Sequence, residues 1–357
     1  MLHSTRFTSC SMADTLPTAD ADRRVHALSA WLRTQPEQWG LDLASLRPAS
    51  ADASFRRYFR IDAPGHRGGT LIAMDAPPEK EDSRPFIRVA GLLAAADLHA
   101  PTIEAGDLDQ GFLLLSDLGS TTYLAALTPD NANALFADAI NALVRWQLAS
   151  RPGVLPPYDE ALLQREVQLF PDWYIARHLQ HALVEADRQT FVAQTRLILD
   201  ACLAQPCVYV HRDYMPRNLM VSTPNPGILD FQDAVFGPIT YDIASLMRDA
   251  FVSWDEERVL DWTVRYWEAA RAAALPVDED FGDFYRAFEW MGLQRHLKVL
   301  GIFARICYRD GKPQYLNDTP RFVRYVRSVT QRYSALLPLA RLFDRLEGVA
   351  TGIGYTF

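Results

Sequence analysis

The stretch Val208–Val221, VYVHRDYMPRNLMV, is apolar at both ends and polar, with a proline, in the middle. Short apolar runs around a polar turn read as two buried strands joined by a loop. That loop gathers His211, Arg212, Asp213 and Asn218. Charged and amide side chains enter a protein interior only with partners. Four of them between buried strands therefore need a structural network or a chemical task.

The spacing favours a task. His211-Arg212-Asp213 followed by Asn218 matches H-R-D-x-x-x-x-N, and GILDFQDA, residues 227–234, then places Asp230 after a further short strand. Phosphoryl transfer gives a protein little covalent chemistry to do, so catalysis is positioning and charge neutralisation. One carboxylate must take the acceptor's proton. A second carboxylate and an amide must hold magnesium, which prefers hard oxygen ligands. A strand-loop-strand unit would bring Asp213, Asn218 and Asp230 around one point. Taken alone, the triplet could equally be a chance match with Asp213 capping a turn; the joint pattern is harder to explain that way.

The 357 residues suffice for two lobes with separate cores. The net charge of −8 excludes a general nucleic-acid binder and a protein that docks on anionic lipid. Lysine stands only at Lys80, Lys298 and Lys312, and arginine supplies the remaining basic charge. Cys10, Cys202, Cys207 and Cys307 fit neither a zinc knuckle nor a CxxC pair, so they read as free thiols in a reducing cytoplasm. The N-terminus lacks the apolar core of a signal peptide. The apolar run near LKVLGIFARIC is too short to span a bilayer.

Outward from the opening stretch, the pattern predicts an α+β fold. Residues 23–32 carry apolar side chains at helical spacing. SFRRYFRIDA and GGTLIAMDAP alternate around a glycine-rich turn and predict a β-hairpin. RPFIRVAGLLAAADLH predicts a helix opened by Pro85, and GFLLLSDLG a buried strand. Beyond Gly119 the pattern is mainly helical, with a helix over EALLQREVQLFPDWYIARHL interrupted at Pro171. The division expected is a disordered tail over 1–20, an N-terminal nucleotide-binding lobe over 21–118, and a catalytic, acceptor-binding lobe over 119–357, with a cleft between the lobes.

VHRDYMPRNLMV and GILDFQDAVFGPITYDIASLMRD together resemble the aminoglycoside phosphotransferase and choline kinase family, small-molecule kinases with a protein-kinase-like bilobal fold. The resemblance implies Asp213 as catalytic base and Asn218 and Asp230 as magnesium ligands. His211, Arg212 and Asp242 become structural, with Asp242 capping the next helix and bracing the loop. ADASFRRYFRI, AMDAPPEKED, LFPDWYIARHL and MGLQRHLKVLGIFARICYRDGKPQYL are similar, more narrowly, to the N-acetylmuramate/N-acetylglucosamine anomeric kinases. These phosphorylate the C1 hydroxyl of amino sugars in peptidoglycan recycling. The implied cofactors are ATP and Mg2+, and the implied partner is a small amino sugar bound by a monomer.

Two features depart from the kinase pattern. The phosphate-covering turn, ADASFRRYF, has no glycine, so Ser54, Phe55 and Arg56 are its candidate contacts. Its arginines read equally as solvated strand residues. The strand TLIAMDAP lacks the expected lysine; either Lys80 curls back to the phosphates or an arginine replaces it. GFLLLSDLG would supply adenine contacts near Leu115 and Asp117. For the acceptor, the basic residues of MGLQRHLKVLGIFARIC, notably Arg295, Lys298 and Arg305, with Arg177 and Trp173 on LFPDWYIARHL, suit an anionic or hydroxyl-rich sugar. The alternatives are another small-molecule kinase of the same fold and a catalytically silent nucleotide-binding partner protein.

Overall fold

The computed structural model describes residues 19–50 and 55–348. Up to residue 18 the expected tail lies outside the described residues, as do residues 51–54 of the phosphate-covering turn, Ser54 among them. The chain divides into two compact units.

The first unit holds residues up to Ser83 together with Thr102–Asp117. Helix α1 (Ala19–Leu32) accompanies an antiparallel sheet of β1 (Asp42–Ser50), β2 (Arg57–Ala63), β3 (Gly69–Asp75), β4 (Ile103–Asp107) and β5 (Phe112–Ser116), in the order β1-β2-β3-β5-β4. The predicted hairpin is β2–β3, with Phe59 opposite Ala73 and Ile61 opposite Leu71. Alternation puts Ile61, Ala63, Leu71 and Ala73 on one face, where they meet Leu28, Trp31 and Leu32 of α1 and Phe112 and Leu114 of β5. Both edge strands escape the sequence pattern. β1 contains Pro48 and two register shifts, and β4 carries Gly106 and one shift. Edges tolerate such residues because one side of the strand has no ladder to satisfy.

The second unit holds Arg84–Pro101 and the chain from Leu118 onward. Its helices before the central strands are α2 (Arg84–Ala95), α3 (Tyr123–Ala126), α4 (Ala132–Leu148), α5 (Glu160–Val167) and α6 (Glu185–Leu203). Four short strands follow: β6 (Cys207–Val210), β7 (Leu219–Met220), β8 (Gly227–Ile228) and β9 (Val235–Pro238). The remainder is α7 (Tyr241–Met247), α8 (Glu256–Ala272), α9 (Phe281–Asp310), α10 (Thr319–Arg332) and α11 (Leu337–Leu346).

Residues 84–101, grouped by the sequence reading with the N-terminal lobe, fall in this second unit for identifiable reasons. Phe86 packs on Phe231 with ring centroids 4.8 Å apart. The N–H of Ile228 donates to the His99 carbonyl at 2.7 Å, and Arg145 donates to the Asp97 carbonyl at 2.9 Å.

The predicted helix is interrupted next to Pro171: α5 ends at Val167, and the chain resumes as a π-helix, Phe170–His178, with Pro171 in its first turn, where its missing N–H breaks no bond within that element. The 30-residue α9 runs through the middle of the unit, buried all round from Phe288 to Leu300. Gly301 lets the backbone at Leu169 touch it: a Cβ there would lie 2.3 Å from the Leu169 carbonyl carbon. Among the described residues Cys202, Cys207 and Cys307 are free thiols, and no helix is long and apolar enough to cross a membrane.

Candidate active site

Two small ladders bracket the opening stretch. β6 pairs with β9, with Val210 opposite Val235, and β7 pairs with β8, with Leu219 opposite Ile228. The polar loop leaves β6 after Val210 and re-enters β7 through a 3-10 turn at Pro216–Asn218. Asp230 lies two residues beyond β8. The structure thus brings Asp213, Asn218 and Asp230 together.

Asn218 is the joint between them. Its Nδ2 donates to the Asp213 carbonyl at 2.9 Å and to Asp230 Oδ2 at 3.3 Å. With both amide protons engaged, its oxygen is the atom left to meet a cation. Asp230 holds a left-handed φ of 61° and accepts from Gln232 Nε2 at 2.9 Å. Among the described residues none donates a hydrogen bond to the Asp213 carboxylate, which leaves it available as a proton acceptor.

The loop's shape is held from beneath. Arg212 has φ of 75°, a costly conformation for a long side chain. The Asp242 carboxylate grips that backbone, accepting the N–H of His211 at 2.7 Å and of Arg212 at 3.0 Å. Complete burial pushes the Asp242 carboxyl up to about 7, and those two N–H donors oppose the rise. Asp242 does brace the loop, but it does not cap the helix. It sits inside the first turn of α7; Thr240 occupies the N-cap and spends its hydroxyl on Gln205 at 2.6 Å.

His211 is also structural. Its Nε2 donates to the Leu229 carbonyl at 3.0 Å, while Nδ1 faces the Asp213 N–H at 3.3 Å. Burial drives its pKa down to about 4, so the ring is neutral, with its proton on Nε2. The Arg212 guanidinium leaves the loop to meet the buried Glu166, Nη2 to Oε1 at 2.5 Å.

The acceptor-binding expectations fare differently. Arg295 is 2% exposed and reaches the Arg248 carbonyl at 3.4 Å, an interior position. Lys298 is buried too, with Nζ 2.9 Å from Glu166 and 3.0 Å from the Tyr241 hydroxyl. Arg305 is half-buried, and burial lowers its pKa. Arg177 is exposed and lines a concavity of about 550 Å3 with Asp172, His181 and Arg188; Trp173 is half-buried. The basic residues of α9 therefore do not form one solvated stripe. A helix wrapped on every side turns some of its charges inward, while Arg286 and Arg309 are matched by Asp283 and Asp310.

The nucleotide expectations lie in the first unit. Lys80 is exposed, 5.1 Å above the ring of Phe55. Arg56 has a side chain only 9% exposed and pairs with Glu81 at 3.1 Å. At the end of the strand expected to bear a lysine, the buried Asp75 instead receives Arg24 and Arg57, each Nε at 3.0 Å. The Asp117 carboxylate is occupied by Arg60 and by Thr70 at 2.8 Å, and Leu115 is a buried ladder residue opposite Ile72. The sequence reading missed Glu166 and Glu81. Each is one acidic residue among many, with no local spacing to mark it.

A family model described as "Phosphotransferase enzyme family" matches residues 45–277. The chain is 53% identical to the N-acetylmuramate/N-acetylglucosamine kinase of Pseudomonas putida, over 92% of this chain and 98% of the relative. It is 54% identical to the enzyme of the same name from Pseudomonas aeruginosa, over 91% and 97%. Among solved structures, the ADP-bound aminoglycoside phosphotransferase APH(2'')-Ib superposes with a TM-score of 0.56 at 14% identity, covering 89% of this chain and 98% of that one. That likeness shows the α+β, protein-kinase-like fold implied by the opening stretch. With the catalytic-loop geometry and the family match in agreement, the chain belongs to the phosphotransferase enzyme family.

Proposed function

We propose that this protein is an ATP-dependent amino-sugar kinase that phosphorylates the anomeric C1 hydroxyl of N-acetylmuramate or N-acetylglucosamine, in the recycling of cell-wall sugars. The observation that carries the reading is the joint made by Asn218: one side chain bonded to both the backbone of Asp213 and the carboxylate of Asp230. The acceptor is supported by the activity for which relatives more than half identical over nearly the whole of both chains are named.

The donors suit magnesium, which takes one or two carboxylates besides water and phosphate oxygens. Asn218 and Asp230 would hold it, and bound there it would neutralise charge on the phosphates. Asp213 takes the proton of the acceptor hydroxyl onto its carboxylate as that oxygen bonds the γ-phosphorus of ATP and the bond from that phosphorus to the β–γ bridging oxygen breaks, releasing ADP. His211 stays neutral and keeps the loop in register. Arg56, oriented by Glu81, takes the place of the missing lysine as the cation for the nucleotide phosphates.

The test is ADP release across N-acetylmuramate, N-acetylglucosamine, choline and an aminoglycoside. The reading expects turnover with the two amino sugars, a product heavier by one phosphate, and loss of reducing-end reactivity. Phosphorylation at another hydroxyl, or turnover only with choline or the aminoglycoside, would overturn it.

A further inference from the structure

The second unit contains a buried charge cluster beside the catalytic loop that the proposed chemistry does not use. Glu166 of α5 is 6% exposed. One of its oxygens meets two cations: Arg212 Nη2 at 2.5 Å and Lys298 Nζ at 2.9 Å. Its other oxygen accepts from the Tyr158 hydroxyl. Lys298 continues to the Tyr241 hydroxyl at 3.0 Å, and Tyr241 immediately precedes Asp242.

We propose that Glu166 is a positioning residue that sets the place of Asp213 by holding the side chain of Arg212 against α9. The inference rests on the kinase reading for its consequence in rate, and on geometry for its cause. Arg212 and Asp213 are neighbours, so any rotation at Arg212 carries the base with it. The left-handed backbone at Arg212 persists only if its surroundings over-determine it. Asp242 grips that residue by its backbone N–H, and Glu166 grips it by its guanidinium. Tyr158 closes the underside, its ring 5.6 Å from the guanidinium.

The arrangement also assigns Lys298 a different task from contact with sugar. A buried cation needs a buried anion, and one carboxylate serving two cations locks loop and helix to a common point. Burial alone would lower the pKa of Lys298; Tyr241 and Glu166 outweigh it and raise the value. Burial would likewise raise Glu166, but Lys298 and Arg212 hold it below the ordinary carboxylate range. All three groups are therefore charged at neutral pH, and the clamp is permanent.

The experiment compares Glu166→Gln and Glu166→Asp with the wild-type full chain. Melting curves establish that each variant folds. Glu166→Gln is expected to lower kcat about 100-fold, the scale of a misplaced catalytic group, with KM for ATP unchanged. Glu166→Asp keeps the charge on a shorter arm and should recover part of that loss. Hydrogen–deuterium exchange supplies a readout independent of activity: Glu166→Gln should speed exchange in the segment 208–220. Unchanged exchange in a folded Glu166→Gln protein, or a loss seen in the KM for ATP and not in kcat, overturns the proposal. If the wild-type protein phosphorylates no acceptor, the kinase reading fails, while the exchange measurement still decides whether Glu166 holds the loop.

Discussion

Asn218 Nδ2 lies 3.3 Å from Asp230 Oδ2 while also bonding the Asp213 carbonyl at 2.9 Å, so the two halves of the site share one amide. Substituting either partner breaks the pair proposed to hold magnesium. Asn218→Ala and Asp230→Asn should each cut turnover about 100-fold or more, and raising the magnesium concentration should recover part of the loss in Asn218→Ala. A magnesium titration of initial rates checks this.

The cation for the nucleotide phosphates is Arg56 on this account, because Glu81 holds it at 3.1 Å, whereas Lys80 is exposed over Phe55. A charge-assisted hydrogen bond is worth about 1.5–3 kcal/mol. Arg56→Met should therefore raise the KM for ATP about 10- to 100-fold, and Lys80→Met should leave it within about twofold. Glu81→Gln should fall between them. ATP titrations of the three variants separate the candidates.

His211 gives a pH signature with a defined sign. Its folded pKa, about 4, lies below the ordinary value of 6.5. The unfolded chain therefore binds the proton first, and the stability due to a neutral His211 is fully present above 6.5. It is lost as pH falls through 4, and amounts to about 3 kcal/mol. Asp242, pushed up to about 7, acts in the opposite sense as pH rises, so the comparison must be with a variant. His211→Gln should flatten the fall in melting temperature between pH 6.5 and 4 relative to the wild type, and parallel curves would remove His211 as its source.

Gly301 is a packing constraint. A Cβ would sit 2.3 Å from the Leu169 carbonyl carbon and 2.5 Å from its oxygen, backbone atoms that cannot step aside cheaply. Alanine's better helix propensity, worth about 1 kcal/mol, does not offset that clash. Gly301→Ala should cost about 2–3 kcal/mol and lower the melting temperature by about 5–10 °C, measured by calorimetry.

The parts legible in the sequence were those whose chemistry is local. Asp213, Asn218 and Asp230 lie within eighteen residues of chain, flanked by apolar strands, and their spacing alone brings them together. The β2–β3 hairpin and β5 follow from alternation and burial. The edge strands β1 and β4 do not, because residues with one free side need no apolar pattern. Arg295 and Lys298 lie in the interior for a different reason. Reading α9 as a one-sided helix sends Arg295 and Lys298 to solvent, but this helix is enclosed. Which charges turn inward depends on distant partners, and Glu166 lies 132 positions from Lys298 with nothing local to mark it.

The central claim is that Asp213 takes the acceptor's proton. It is tested most directly by Asp213→Asn, which keeps the size of the side chain and removes the base. ADP release with N-acetylmuramate should fall about 10³-fold, while ATP binding measured by calorimetry stays at the wild-type level. Turnover close to wild type in a folded Asp213→Asn protein would contradict the account.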